Sequence, residues 1–305
     1  MTSRKPLDLF AFATMLVLCI CWGSQQISVK LIAADVAPVM QMGLRSAIAA
    51  LVLGALTLGR EGRRAFCDGS LPAGLLVGAL FAAEFLFIAL GLVLTTASHL
   101  VVFLYSAPIF SALALHMRVA EERLSRLQWA GVAIAFGGIA VSFLAGGGGM
   151  SRDMLLGDAF GLLAGLAWGL TTVAIRGSKL SEAPAVKTLF YQVAFAGTAL
   201  LAYAILTGQA GVNLTPKVAL HIGYQTVVIT LVSYVVWFWL LRQYLASRLS
   251  ILSFLTPLFG VVFGVVILHE PLEPPFVMGA ILVLAGISLV SGANFLREKF
   301  SRLAA

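Results

Sequence analysis

Two charged residues stand where a charge is hard to place. Arg45 lies in the run PVMQMGLRSAIAALVLGAL and Glu84 in AGLLVGALFAAEFLFIALGLVL. A charge at the centre of such a run costs about 2.5–3.5 kcal/mol on insertion scales, so neither residue is expected to face lipid. Counted from the outer ends of their runs, Arg45 is roughly 10 Å deep and Glu84 roughly 15 Å, at ~1.5 Å per residue. They can therefore share one polar site. Two readings fit. In the first, Arg45 meets a substrate carboxylate, and Glu84 meets an ammonium or carries a coupled proton. In the second, they form a buried structural pair, or Glu84 is protonated onto a neighbour.

Other residues qualify as substrate-binding by type and depth. Trp22 and Gln25 sit in CWGSQQISVK, too polar for a helix facing lipid end to end. Trp168 repeats Trp22 in the second half of the chain, Tyr105 stands beside a mid-run proline, and Tyr191 falls where Arg45 stands in the first half. An aromatic lining suits a bulky apolar substrate, or a cation through attraction to ring faces. Pro108 and Pro257 are hinge candidates. A mid-helix proline removes one hydrogen bond and frees the carbonyl four residues back, here Leu104 and Ser253. A fixed kink that only shapes packing is the alternative.

Nothing points to catalysis, a metal or a cofactor. His269-Glu270 begins like a zinc-protease motif, but Glu273 stands where the second histidine is needed. These charges read as an outer-loop cluster. Cys19, Cys21 and Cys67 make neither a disulfide framework nor a ligand set.

The elements that must hold these residues are plain from composition. The chain has 305 residues, 60% hydrophobic and 11% charged, with mean hydropathy +1.01. Apolar runs are expected to span near 7–30, 37–59, 72–94, 97–118, 125–144, 155–176, 187–207, 217–240, 246–268 and 274–295. Each can cross a ~30 Å core as a helix, which satisfies its own backbone. The class is all-α integral membrane, with an uncleaved first span.

The net charge of +7 is a topology signal. With the N-terminus inside, the cytoplasmic side carries Arg4, Lys5, Arg60, Arg63, Arg64, Arg118, Arg123, Arg126, Arg176, Lys179, Lys187, Arg242, Arg248, Arg297, Lys299 and Arg302. Only Arg152 and Lys217 fall outside. Both termini are therefore expected in the cytoplasm. The partners implied are the lipid bilayer and a small-molecule substrate rather than nucleic acid, in a monomer or weak oligomer.

The chain also repeats itself. ASHLVVFLYSAPIF, an apolar run, Glu122-Arg123-Leu124 and Gly131 are answered by ASRLSILSFLTPLF, an apolar run, Glu270-Pro271-Leu272 and Gly279. Trp22-Gly23 is answered by Trp168-Gly169, and Pro38 by Pro184. The halves are residues 1–145 and 155–305, joined by a glycine-rich link at 146–154 expected on the outer side. Each half holds five spans. Consecutive copies with an odd number of spans enter the membrane from opposite sides, so these are inverted repeats. That plan belongs to secondary transporters, with the substrate at the repeat interface.

The Trp-Gly pairs, Gly157-Asp158, the Ala-Pro and Thr-Pro of the repeat units, and Glu-x-Leu followed by a glycine resemble the drug/metabolite transporter superfamily. Within it they resemble the ten-helix EamA-type exporters. The first half departs at Arg123, where the family has proline, which weakens any role for that proline. The resemblance covers essentially the whole chain. It implies a secondary transporter in the inner (plasma) membrane that exports amino acids or similar metabolites by alternating access; YddG-like aromatic amino-acid exporters are among its members. Exporters of hydrophobic cations or drugs and nucleotide-sugar carriers share the fold and remain the alternatives.

Overall fold

The computed structural model describes residues 8–62, 68–118, 123–144, 151–244, 249 and 252–303. Glu122, Cys67 and the glycines at 146–149 lie outside the described residues. Helices begin where the sequence supplies a cap or a proline. Asp8 accepts from the Ala11 amide and opens α1 (Leu9–Gly23), with α2 (Gln25–Leu31) following one residue later. Pro38 is the first residue of α3 (Pro38–Glu61), and Pro72 lies in the first turn of α4 (Leu71–Leu94). A proline there loses no helical hydrogen bond, because the first amides have no partner anyway. Thr96 caps α5 (Ala97–Leu104), and α6 (Ala107–Arg118) and α7 (Arg126–Leu144) complete the first half.

The second half opens with α8 (Arg152–Arg176), capped by Ser151, and α9 (Ala185–Leu206). Then come α10 (Pro216–Gly223), a π-helical stretch Tyr224–Val232, and α11 (Ser233–Gln243). The chain ends with α12 (Leu255–Leu268) and α13 (Pro274–Leu303). Among the described residues, eight segments are long and apolar enough to cross a membrane, with α12 a shorter apolar helix.

Among the described residues the fold is all-α, and its packing carries a two-fold relation between the two halves. The pairs α3–α9, α7–α13 and α5–α12 each join equivalent spans of the two halves. Other contacts come in matched sets. α4 against α8 is answered by α1 and α2 against the π stretch, α4 against α9 by α3 against the π stretch, and α5 and α6 against α8 by α1 and α2 against α12. The α7–α13 contact is close because its crossing points are glycines. A Cβ on Gly286 would lie 2.5 Å from the Gly131 carbonyl oxygen, and one on Gly138 2.6 Å from that of Gly279. Backbone is the obstacle, so the helices would have to separate. Gly286→Ala is expected to lower the melting temperature of the purified protein, an overpacking cost of about 1–3 kcal/mol. Unchanged melting would contradict this packing.

The fourth and ninth spans depart from simple kinks. In the fourth, α5 ends at Leu104, Tyr105 and Ser106 form a turn, and α6 starts afresh at Ala107. In the ninth, Ser253 and Phe254 form the turn before α12. Pro108 and Pro257 therefore stand in the first turn of a new helix rather than inside an old one, where proline is tolerated. The Ser253 carbonyl is not left open by Pro257, since it accepts from the Thr256 amide at 3.0 Å.

Candidate functional site

The site is built around Arg45, on the inward face of α3 one turn beyond Gln41. Arg45 is 2% exposed, and its guanidinium carbon sits 4.2 Å from the centroid of the Phe85 ring. Nε and Nη1 have no hydrogen-bond partner. Glu84 precedes Phe85 on α4, is 6% exposed, and its Oε2 is also unpartnered. Among the described residues the two charges close no ion pair, though each feels the other's charge. Arg45, Glu84, Tyr105 and Tyr234 are near enough to influence one another electrostatically.

A polar wall runs from this cluster toward the expected outer end. Gln225, at the start of the π stretch, donates to Gln41 Oε1 at 3.0 Å and Ser28 Oγ at 3.3 Å. Gln41 donates to the carbonyls of Val29 and Val36, which end α2 and precede α3. Ser28 Oγ lies 2.9 Å from His221 Nδ1. Among the described residues, Gln225 Oε1 in this wall and Gln26 Oε1 on α2 stay open. Buried polar atoms are normally paired, and an unpaired one calls for an explanation. Here the open donors sit on Arg45 and one open acceptor, Glu84 Oε2, sits on the neighbouring helix.

Trp22 joins the first and eighth spans. Its Nε1 donates to Ser233 Oγ at 2.9 Å, and its ring packs edge-on against Trp237. Ser24, in the break between α1 and α2, lies 2.6 Å from the Tyr224 hydroxyl. The break in span 1 is thus tied to the π stretch, a geometry often found at functional sites. Tyr105 packs edge-on against Trp168 at 5.2 Å. Thr256 is fully buried beside the second turn with its Oγ1 unpartnered.

The structure thus brings together Arg45, Glu84 and Tyr105, with Trp168 packed on Tyr105, while Trp22 packs in a separate cluster with Trp237. Gln25 is half-buried at the start of α2 and Ser253 half-buried in the turn before α12. Tyr191 lies elsewhere. It packs with Val77 and Leu180, its ring against Gly74 and its hydroxyl 3.1 Å from Ser70 Oγ. That cluster adjoins a tie at the opposite end of the bundle, where Lys187 donates to Asp68 at 2.6 Å. The Lys187 ammonium and Ser70 hold the Asp68 carboxyl well below the usual carboxylate range. The tie is thus present at neutral pH and lost only as acid protonates Asp68. Phe85, Gln41 and Gln225 did not stand out in the sequence as binding residues. The polar run Tyr224-Gln225 inside an apolar span was the available signal.

The acidic pair after α12 is not a solvated loop cluster. Glu270 is 9% exposed. Its carboxylate accepts from the Ala97 and Ser98 amides and the Ser98 hydroxyl, at 2.7, 3.0 and 2.7 Å. Lys30 Nζ is 3.6 Å away and also donates to the Thr95 carbonyl. His269 takes a left-handed conformation, φ 54°, to end α12, which turns Glu270 onto the start of α5. A cap made from another repeat thereby fixes where the fourth span begins.

Residues 9–144 and 155–292 each match the EamA-like transporter family. The chain is 22% identical over 280 residues to the uncharacterized transporter YoaV of Bacillus subtilis (strain 168), covering 91% of this chain and 95% of the relative. It is 26% identical over 283 residues to a probable amino-acid metabolite efflux pump of Escherichia coli (strain K12), covering 89% and 91%. A solved crystal structure superposes with TM-score 0.64 at 17% identity, covering 96% of this chain and 99% of that one, a likeness of fold. With both halves matching the family separately, and their equivalent helices packed against one another, this multi-pass membrane protein belongs to the EamA-like transporter family.

Proposed function

We propose that the protein exports zwitterionic amino acids, including those with bulky apolar side chains, by alternating access across the inner (plasma) membrane. One observation carries this reading. Two buried guanidinium donors of Arg45 and a buried carboxylate oxygen of Glu84, on neighbouring helices, lack partners among the described residues. A substrate carboxylate would satisfy the first and a substrate ammonium the second. The neighbouring rings of Phe85 and Tyr105 suit an apolar side chain. The relative described as a probable amino-acid metabolite efflux pump agrees with it. A hydrophobic cation would leave the Arg45 donors unpaired. A nucleotide sugar would need several free cations, and Lys30 is already engaged by Glu270. Counterflow in proteoliposomes tests the reading. Internal leucine or phenylalanine should drive uptake of the labelled amino acid, and the decarboxylated amines should not. Exchange of amines without amino acids would overturn it.

Both termini face the cytoplasm in this reading, which the charge distribution supports. The 207–215 connection, where Asn213 is bonded to Asp35, then lies outside. A cysteine replacing the exposed Leu214 is expected to react with an impermeant reagent applied outside intact cells. Reaction only from the cytoplasmic side would reverse the orientation.

A further inference from the structure

His99 on α5 is fully buried, with its ring stacked 3.6 Å from that of Phe276 on α13. Both ring nitrogens face carboxylates. Nδ1 is 2.9 Å from Asp158 Oδ2 on α8, and Nε2 is 3.3 Å from Glu273 Oε2 in the connection between α12 and α13. A neutral imidazole carries one N–H. With both carboxylates ionised, one of these contacts would set lone pair against lone pair. The arrangement therefore requires one proton beyond the neutral ring, on the imidazole or on a carboxyl.

The neighbours do not supply the missing charge. Asp158 Oδ1 accepts from the Thr95 hydroxyl at the end of α4. Lys30 of α2 is held by Glu270 and the Thr95 carbonyl, and Glu270 is spent on the α5 amides. Arg152 and Asp153, in the first turn of α8, are exposed, and α13 contributes the uncharged Phe276 ring. Asp158 and Glu273 are left with the shared proton as their counter-charge. His99 belongs to the first repeat, and Asp158 and Glu273 to the second.

We propose that Asp158, His99 and Glu273 form a binding site for a single proton that clamps the two repeats together at one end of the bundle, the outer end in the orientation given above. Proton loss leaves the neutral ring able to donate to only one carboxylate. Asp158 is buried and fixed by Thr95, whereas the Glu273 side chain is 32% exposed and can leave toward water. The clamp then opens at the Glu273 side, freeing the start of α13 from α5. External acid would thus hold this end shut, and alkaline conditions would release it.

The test is independent of any substrate. The chain has four histidines, so 15N-histidine spectra of the protein in nanodiscs can be assigned with His99→Gln. At low pH we expect either a doubly protonated His99 or a carboxylic-acid infrared band, and loss of that proton on raising the pH. Spin labels at the exposed Leu156 on α8 and Met278 on α13 should move apart over the same pH range. Glu273→Gln supplies an amide donor to Nε2 and removes the need for the extra proton. That variant should stay folded, hold His99 neutral, and show a label separation independent of pH. A neutral His99 with both carboxylates ionised from pH 5 to 9 overturns the proposal, and so does a wild-type label separation that ignores pH.

Discussion

Arg45→Gln raises the amino-acid concentration for half-maximal transport by tenfold or more, while transport of a decarboxylated amine, where measurable, does not worsen. The expectation follows from what Arg45 touches. Its guanidinium has the Phe85 ring on one face and open donors at Nε and Nη1. A hydrogen bond to a charged group contributes about 1.5–3 kcal/mol, and each 1.4 kcal/mol is about tenfold in affinity. Arg45→Lys should fall between, because an ammonium keeps the charge but neither lies flat on the ring nor presents a two-pronged donor edge. Concentration-dependent counterflow reads the effect. Equal losses for the amino acid and its amine would mean that Arg45 shapes its surroundings without meeting a carboxylate.

The largest expected loss of stability is at Glu270. Glu270→Ala leaves the buried amides of Ala97 and Ser98 without acceptors and strips Lys30 of its counter-charge. A buried unsatisfied donor costs about 1–3 kcal/mol, and breaking a buried charge pair is costly in its own right. The sum is large against a typical net stability of about 5–15 kcal/mol. The expected result is poor yield and a melting temperature several degrees lower, with Glu270→Gln intermediate because one side-chain acceptor remains. Wild-type melting in Glu270→Ala would show that the start of α5 does not depend on this cap.

How much of this was legible in the sequence depends on whether the signal was local. The spans were, because a run that crosses a bilayer announces itself, and Pro38, Pro72, Pro216 and Pro274 mark helix starts to within a residue or two. Arg45 and Glu84 were legible for the same reason, since a charge in an apolar run needs an explanation wherever the run goes. The twofold packing followed from the repeat. What the sequence hid is long-range. The partners of Glu270 are backbone amides more than 170 residues away, and an amide has no residue type to betray it. The role of His99 required knowing that three spans converge on one ring. Tyr191 was matched to Arg45 by alignment of the halves. The halves differ in what lies opposite that position, and Gly74 leaves Tyr191 a packing slot instead. The full breaks at Tyr105–Ser106 and Ser253–Phe254 looked like proline kinks, because proline marks both the inside of a bent helix and the first turn of a new one.

The binding of an amino acid at Arg45 and Glu84 is tested most directly by equilibrium binding to purified protein. Three ligands sharing one side chain are needed: the amino acid, its decarboxylated amine, and its deaminated acid. Wild-type protein is expected to prefer the amino acid over both. Arg45→Gln should lose the preference over the amine and keep that over the acid, and Glu84→Gln should do the reverse. If both variants keep both wild-type preferences, the pair of charges on α3 and α4 is not where the zwitterion is held.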